Sequence, residues 1–172
     1  MPIIEPEEHR YLKLQQLKSK GVEPFGRSYA DTVPIGEARE MYEPEVEKPV
    51  RVAGRISNIR GKGKAAFLDI RDWTGKIQLY MQLNRLGEEQ FELSKLLDLA
   101  DIVGVEGKLM ATRTGEITIF VDHFELLSKS LLSPPEKWHG LRDRELRYRR
   151  RYVDLFANPD VMDRFLKRTR ML

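Results

Sequence analysis

Cysteine is absent from the 172 residues, which removes disulfides and thiolate metal sites and fits a reducing compartment. Histidine is scarce, and His9, His123 and His139 lie too far apart in the sequence to suggest a metal cluster or a catalytic triad. Long apolar runs are missing as well. The N-terminus, MPIIEPEEHRYLKL, carries early acids and contains neither a secretory signal nor a spanning segment, so a cytoplasmic protein with no membrane partner is expected. Nor is there a phosphate-cradling glycine loop, because Gly61-Lys62-Gly63-Lys64 fits neither the P-loop nor the dinucleotide pattern. These absences leave binding, not catalysis, as the first expectation for this stretch of chain.

What is present is charge, unevenly placed. The net charge of +3 is small, yet residues 1–49, 50–130 and 131–172 carry −3, +1 and +5. Arg51 to Lys64 holds five cations and no acid. Such local clustering favours a nucleic-acid partner more than the total does.

The most informative stretch is Val50 to Met81, which reads as three strands joined by a basic glycine loop and a tight turn. Alternation places Ala66, Leu68 and Ile70 on one face of the second strand, with Phe67, Asp69 and Arg71 on the other. In the third strand Ile77, Leu79 and Met81 point inward, whereas Lys76, Gln78 and Tyr80 point outward. Asp72-Trp73-Thr74-Gly75 is a hairpin signal. Pairing Asp72 with Gly75 sets Phe67 opposite Tyr80 and diagonal to Gln78. An aromatic ring, a carboxamide and nearby cations are what unpaired bases require. Two readings stay open: a base-stacking platform, or a ring covered by another element beside a solvated glutamine.

Before these strands, Glu5 to Lys20 reads as an amphipathic helix with Tyr11, Leu14 and Leu17 on one face and Gly21 past its end. A short helix is possible near Gly36 to Tyr42. After them come a helix over Leu86 to Ala100 and two strands, Ile102 to Thr112 and Glu116 to Leu127, joined at Arg113-Thr114-Gly115. Three strands, a helix and two strands is the element order of an OB-fold, a five-stranded barrel. The expected fold is therefore mainly β with helices, organised as an N-terminal helical extension (1–49), a barrel (50–130) and a helical C-terminal segment (131–172). In the last segment a helix is expected over Asp143 to Leu155, rich in arginine, and a second from Asn158-Pro159 onward. That second helix meets no stop signal before Leu172, which suggests a fragment.

Three blocks carry a family resemblance: VAGRISNIRGKGKAAFLDIRDWTGKIQLY, DLADIVGVEGKLMATRTGEITI and PPEKWHGLRDRELRYRRRYVDLFANP. Together they resemble the bacterial class II lysyl-tRNA synthetase family, over its anticodon-binding part, with residues 131–172 implied to be the hinge and the start of a truncated class II catalytic domain. The resemblance implies a lysine tRNA partner whose uridine-rich anticodon is read by Phe67 as the stacking ring, Gln78 as the base reader, Arg60, and Glu116 as an acceptor from a base edge or merely a solvated turn residue. Lys62 and Lys64 would meet the phosphate backbone. For the complete parent enzyme it implies ATP and magnesium, lysine adenylation and a homodimer, with no cofactor in this chain and no catalytic residue among its 172. The chain alone is expected to be inactive. The alternative is a free-standing OB-fold module that binds tRNA or single-stranded nucleic acid without ligase activity. The arginines between Arg142 and Arg151 could follow tRNA or pair with acids of a catalytic domain.

Overall fold

A computed structural model describes residues 6–26, 28–135, 141 and 143–171. Packing divides the chain into two units, Met1–Leu132 and Ser133–Leu172.

The first unit is built on a closed barrel of β1 (Lys48–Lys62), β2 (Ala65–Arg71), β3 (Lys76–Gln82), β4 (Ile102–Ala111) and β5 (Ile117–Ser128), in the order β1-β2-β3-β5-β4. β1 is long enough to serve two neighbours. Its first half pairs with β4 and its second with β2, and a bulge between Ile56 and Asn58 turns it from one to the other. β3 and β5 close the ring in parallel through three residue pairs. Alternating apolar residues fill the interior, among them Val52, Ile56, Leu68, Ile77, Leu79 and Ile119, each at most 2% exposed. Burying this apolar surface is the main force holding the ring together.

The β1–β2 connection is a turn at Gly63 and Lys64, with Gly63 at φ +74. Gly61 just before it allows only glycine, since a Cβ there would stand 2.7 Å from the backbone of Ala65 and Ala66.

Helix α1 (Glu8–Ser19) buries Arg10, Leu14 and Leu17. Tyr11, expected on that face, is 47% exposed. The face is turned by one residue because the Arg10 guanidinium donates to the carbonyls of Leu99 and Ser130 at 2.9 and 3.0 Å and pairs with Glu7 at 3.1 Å. Apolar spacing alone could not show that an arginine would take the inward position.

Helix α2 (Ile35–Glu40) has no cap from its own flanking side chain. The β2–β3 turn supplies one instead. Asp72 Oδ2 accepts from Ile35 N at 2.9 Å, and the Thr74 hydroxyl accepts from Gly36 N at 2.8 Å. Asp72 Oδ1 also accepts from the Thr74 amide and hydroxyl and from Gly75 N. Burial pushes the Asp72 carboxyl up, but its four hydrogen bonds outweigh this and hold it below the ordinary carboxylate value. Asp72→Asn turns an amino group toward one of these donors and is expected to cost about 1 kcal/mol at neutral pH, a figure already discounted for partial exposure. A depressed folded value stabilises only where the carboxyl is ionised. The gap to wild type is therefore full above the unfolded value of about 4 and closes as pH falls through the folded one. Urea midpoints at neutral pH and near pH 3 measure it, and a gap that does not narrow would show that the charge contributes nothing.

Between β3 and β4 the expected single helix is two short ones, α3 (Leu83–Leu86) and α4 (Glu88–Ser94), separated by Gly87 at φ +79. Helix does not reach Ala100, which has φ +74. The stretch is tied to β1 instead, with Ala100 N donating to Ile56 O and Ile56 N to Asp101 O, both at 2.8 Å.

The second unit holds α5 (Arg144–Arg149), α6 (Arg151–Ala157) and α7 (Pro159–Met171). The helix expected over 143–155 breaks at Arg150, whose backbone leaves the helical region at φ −118, ψ 56. The break lets Arg147 from α5 and Arg151 from α6 both reach the buried Asp154, which also accepts from Asn158 at 2.7 Å. Arg149 pairs with Glu145. Three of the arginines between Arg142 and Arg151 thus have acidic partners within their own unit. His139 and Arg142 lie outside the described residues.

Candidate nucleic-acid interface

The registers of four strands set two parallel rows of side chains on the outer face of the barrel. One row runs Arg60, Phe67, Tyr80 and Phe120, on β1, β2, β3 and β5. The other, two residues along each strand, runs Asn58, Asp69, Gln78 and Thr118. The first row is aromatic at its centre, and the second is polar throughout.

In the aromatic row, Phe67 and Tyr80 stack with ring centroids 4.7 Å apart and planes 31° apart, and Phe120 meets Tyr80 edge-on at 5.1 Å. All three rings are half-buried. Tyr80 supports Phe67 from the side of β3, and because Phe67 is not fully buried a partly accessible aromatic surface remains. Arg85 lies 5.8 Å from the Phe120 ring and is held by Asp122 at 2.6 Å.

In the polar row, Asp69 was expected to face outward with Phe67. It does lie on that side but is only 6% exposed. Its carboxylate is covered by Asn58 Nδ2 at 3.3 Å, Arg60 Nη2 at 3.1 Å and Lys76 Nζ at 3.6 Å. One buried acid thus positions two cations beside the rings, with the Arg60 and Lys76 side chains 53% and 58% exposed. Next to it, Gln78 Oε1 accepts from the Thr118 hydroxyl at 3.0 Å.

Phe67 and Gln78 therefore come together on one face, as the strand alternation and the Asp72–Gly75 turn predict, and Arg60, a candidate from the resemblance, joins them through the β1–β2 register. Lys64 is exposed on the β1–β2 turn at the end of this face. The Lys62 side chain lies outside the described residues. Glu116 sits just before β5 and is exposed, but it is not a free acceptor: Arg39 of α2 approaches one carboxylate oxygen at 3.4 Å while donating to Lys76 O at 3.0 Å. Phe120, Thr118, Asn58 and Arg39 did not emerge from the sequence. Phe120 alternates with Ile119 and Val121 as Phe67 does with its neighbours, so its outward position was legible, but only ring closure brings it beside Tyr80.

Among the described residues, no group of three or more His, Cys, Asp or Glu could hold a metal ion. Gly61 to Lys64 joins two strands of a hairpin, not a strand to a helix, so it does not fit a nucleotide-phosphate loop.

Residues 50–127 match the family model described as an OB-fold nucleic acid binding domain, of the tRNA anti-codon type. Over 163 residues the chain is 47% identical to a lysine–tRNA ligase of Carboxydothermus hydrogenoformans, covering 95% of this chain and 33% of that protein. A lysine–tRNA ligase of Pelotomaculum thermopropionicum is 48% identical over 93% of the chain, and one of Syntrophomonas wolfei is 46% identical over 99%. The chain spans about a third of the length of these curated relatives. The barrel, its two rows of side chains and these matches agree: residues 50–127 form an OB-fold domain that matches the tRNA anticodon-binding type, in a chain that is similar along nearly its whole length to about a third of the length of these lysine–tRNA ligases.

Proposed function

We propose that this chain binds lysine tRNA by its anticodon and reads uridine-rich bases there, serving the specificity of a lysine–tRNA ligase. The observation that carries this is the Phe67–Tyr80 stack one register step from Gln78. A base laid on Phe67 gains stacking that any base can supply. Its edge then faces the Gln78 carboxamide. With the carboxamide oxygen engaged by Thr118, the amino group is the part turned outward as a donor. Uracil offers carbonyl acceptors to such a donor, whereas cytosine places its own amino group where uracil has O4. Arg60, Lys64 and Lys76 supply positive charge along the same face for the phosphates.

Lysine adenylation with ATP and magnesium belongs, in this reading, to a complete ligase acting as a homodimer in the cytoplasm. The described residues here do not fit a magnesium–ATP site, so no chemical step is assigned to them. Among them no helix is long and apolar enough to cross a membrane.

The test is a binding titration of an anticodon stem-loop bearing UUU and of one with cytidine replacing a uridine, at one fixed salt concentration. Gln78→Ala is expected to weaken binding to the UUU loop by roughly 3- to 10-fold, and the substituted loop less, the size of one hydrogen bond. Equal losses on both RNAs would show that Gln78 does not read the base.

A further inference from the structure

Gln78 and Thr118 face each other across the parallel β3–β5 seam, 40 residues apart in the chain. Thr118 is completely buried. Its hydroxyl lies 3.0 Å from Gln78 Oε1 and 3.1 Å from the Glu116 carbonyl. A hydroxyl has a single proton to donate. That carbonyl already accepts from Thr112 N at 3.0 Å, which leaves the proton available to Gln78.

This contact has a consequence for recognition. A glutamine on a strand surface can turn its terminal amide by half a revolution, exchanging acceptor for donor at the same place. For a residue that discriminates bases, the exchange reverses the preference: an outward amino group suits uracil O4, and an outward oxygen suits the cytosine amino group. We infer that Thr118 is a positioning residue, holding the Gln78 carboxamide with its oxygen inward and its amino group outward, and so setting the pyrimidine that the site accepts. The inference rests on the anticodon reading above. It needs no contact between Thr118 and the RNA, and its buried position permits none.

Thr118→Val keeps the shape and the β-branch and removes only the hydroxyl. The experiment measures binding of wild type, Gln78→Ala, Thr118→Val, Thr118→Ser and the Thr118→Val, Gln78→Ala double variant to the UUU stem-loop. Each is also titrated against loops with cytidine at each anticodon position in turn, and thermal unfolding of every variant is followed in parallel. Thr118→Val is expected to lose about 3- to 10-fold of the uridine-over-cytidine preference, as Gln78→Ala does. The double variant should lose no more than either single one, and Thr118→Ser should retain the preference. A merely structural role would weaken binding to all the loops equally. If Thr118→Val does not fold, Thr118→Ala takes its place with the same expectation. The inference is overturned if Gln78→Ala loses the preference while the hydroxyl-free variant keeps it. If Gln78→Ala keeps it too, the anticodon reading falls and the role of Thr118 with it.

Discussion

Lys129→Met should be the most damaging single substitution outside the apolar core, costing about 3–5 kcal/mol of folding stability. The Lys129 ammonium is completely buried and uses all three of its protons. It donates to Leu96 O at 2.9 Å and to Asp98 and Asp101 carboxylates at 2.7 Å each. Asp101 is itself fully buried. Its carboxylate accepts from Asp98 N and Ser130 N, both at 2.8 Å, so it fixes the loop before β4 and the end of β5 together. Burial pushes the Asp101 carboxyl above the ordinary carboxylate range even with the lysine present. Methionine would fill the space and leave that charge without its cation. Lys13 lies 2.6 Å from Asp98 and can compensate one of the two acids but not the other.

The pH dependence follows from the raised value. A carboxyl whose folded pKa lies above its unfolded one favours folding when protonated, and that contribution is lost as pH rises through the folded value. Removing Lys129 raises the Asp101 value further. The deficit of Lys129→Met should therefore be largest at neutral pH and shrink on mild acidification. Urea unfolding at both pH values measures this, and a deficit independent of pH would show that the loss is one of packing alone.

The second large effect concerns binding. Phe67→Ala should weaken RNA binding by about 1–3 kcal/mol, the worth of one base stacked on an aromatic ring, while leaving the preference for uridine over cytidine nearly unchanged. Phe67 offers its face to any base, and its own support is the Tyr80 ring 4.7 Å away. Losing that contact also removes about 0.5–1.5 kcal/mol of pair energy from the fold, so the thermal midpoint should fall slightly and must be read beside the titration. Undiminished binding by Phe67→Ala would remove the platform from which the functional reading starts.

Much of this face was written locally. Strict alternation through AAFLDIR and KIQLYM, with a four-residue turn between them, left a single register that buries both apolar sets, and the observed Phe67–Tyr80 and Asp69–Gln78 pairs follow from it. The residues that organise the site from below were not legible in the same way. Asp69 reads as an exposed acid until a bulge in β1 brings Asn58 beside it and Arg60 and Lys76 cover it. Arg10 carries no signal in the sequence, and only the fold brings the carbonyls of Leu99 and Ser130 to its guanidinium. The helix expected through Arg150 was a sum of sound local propensities, overruled by a buried aspartate that needs arginines from both sides. Asp69 and Arg10 found partners on other elements and Asp154 found its own across a local break in the helix, and periodicity encodes neither.

The parallel seam that closes the barrel also fixes when its binding face comes into being. Phe67 and Tyr80 belong to one hairpin and can meet within microseconds of its formation, while most of the chain is unordered. Gln78 meets Thr118, 40 positions further along the chain, only after the segment between them has been looped out and β5 has been delivered to the far side of the ring. During synthesis, a chain that has emerged only as far as β4 can present aromatic rings to a base but not the oriented amide beside them. If the face reads bases as proposed, stacking thus arises early and without selectivity, and discrimination arises last, as a property of the completed fold.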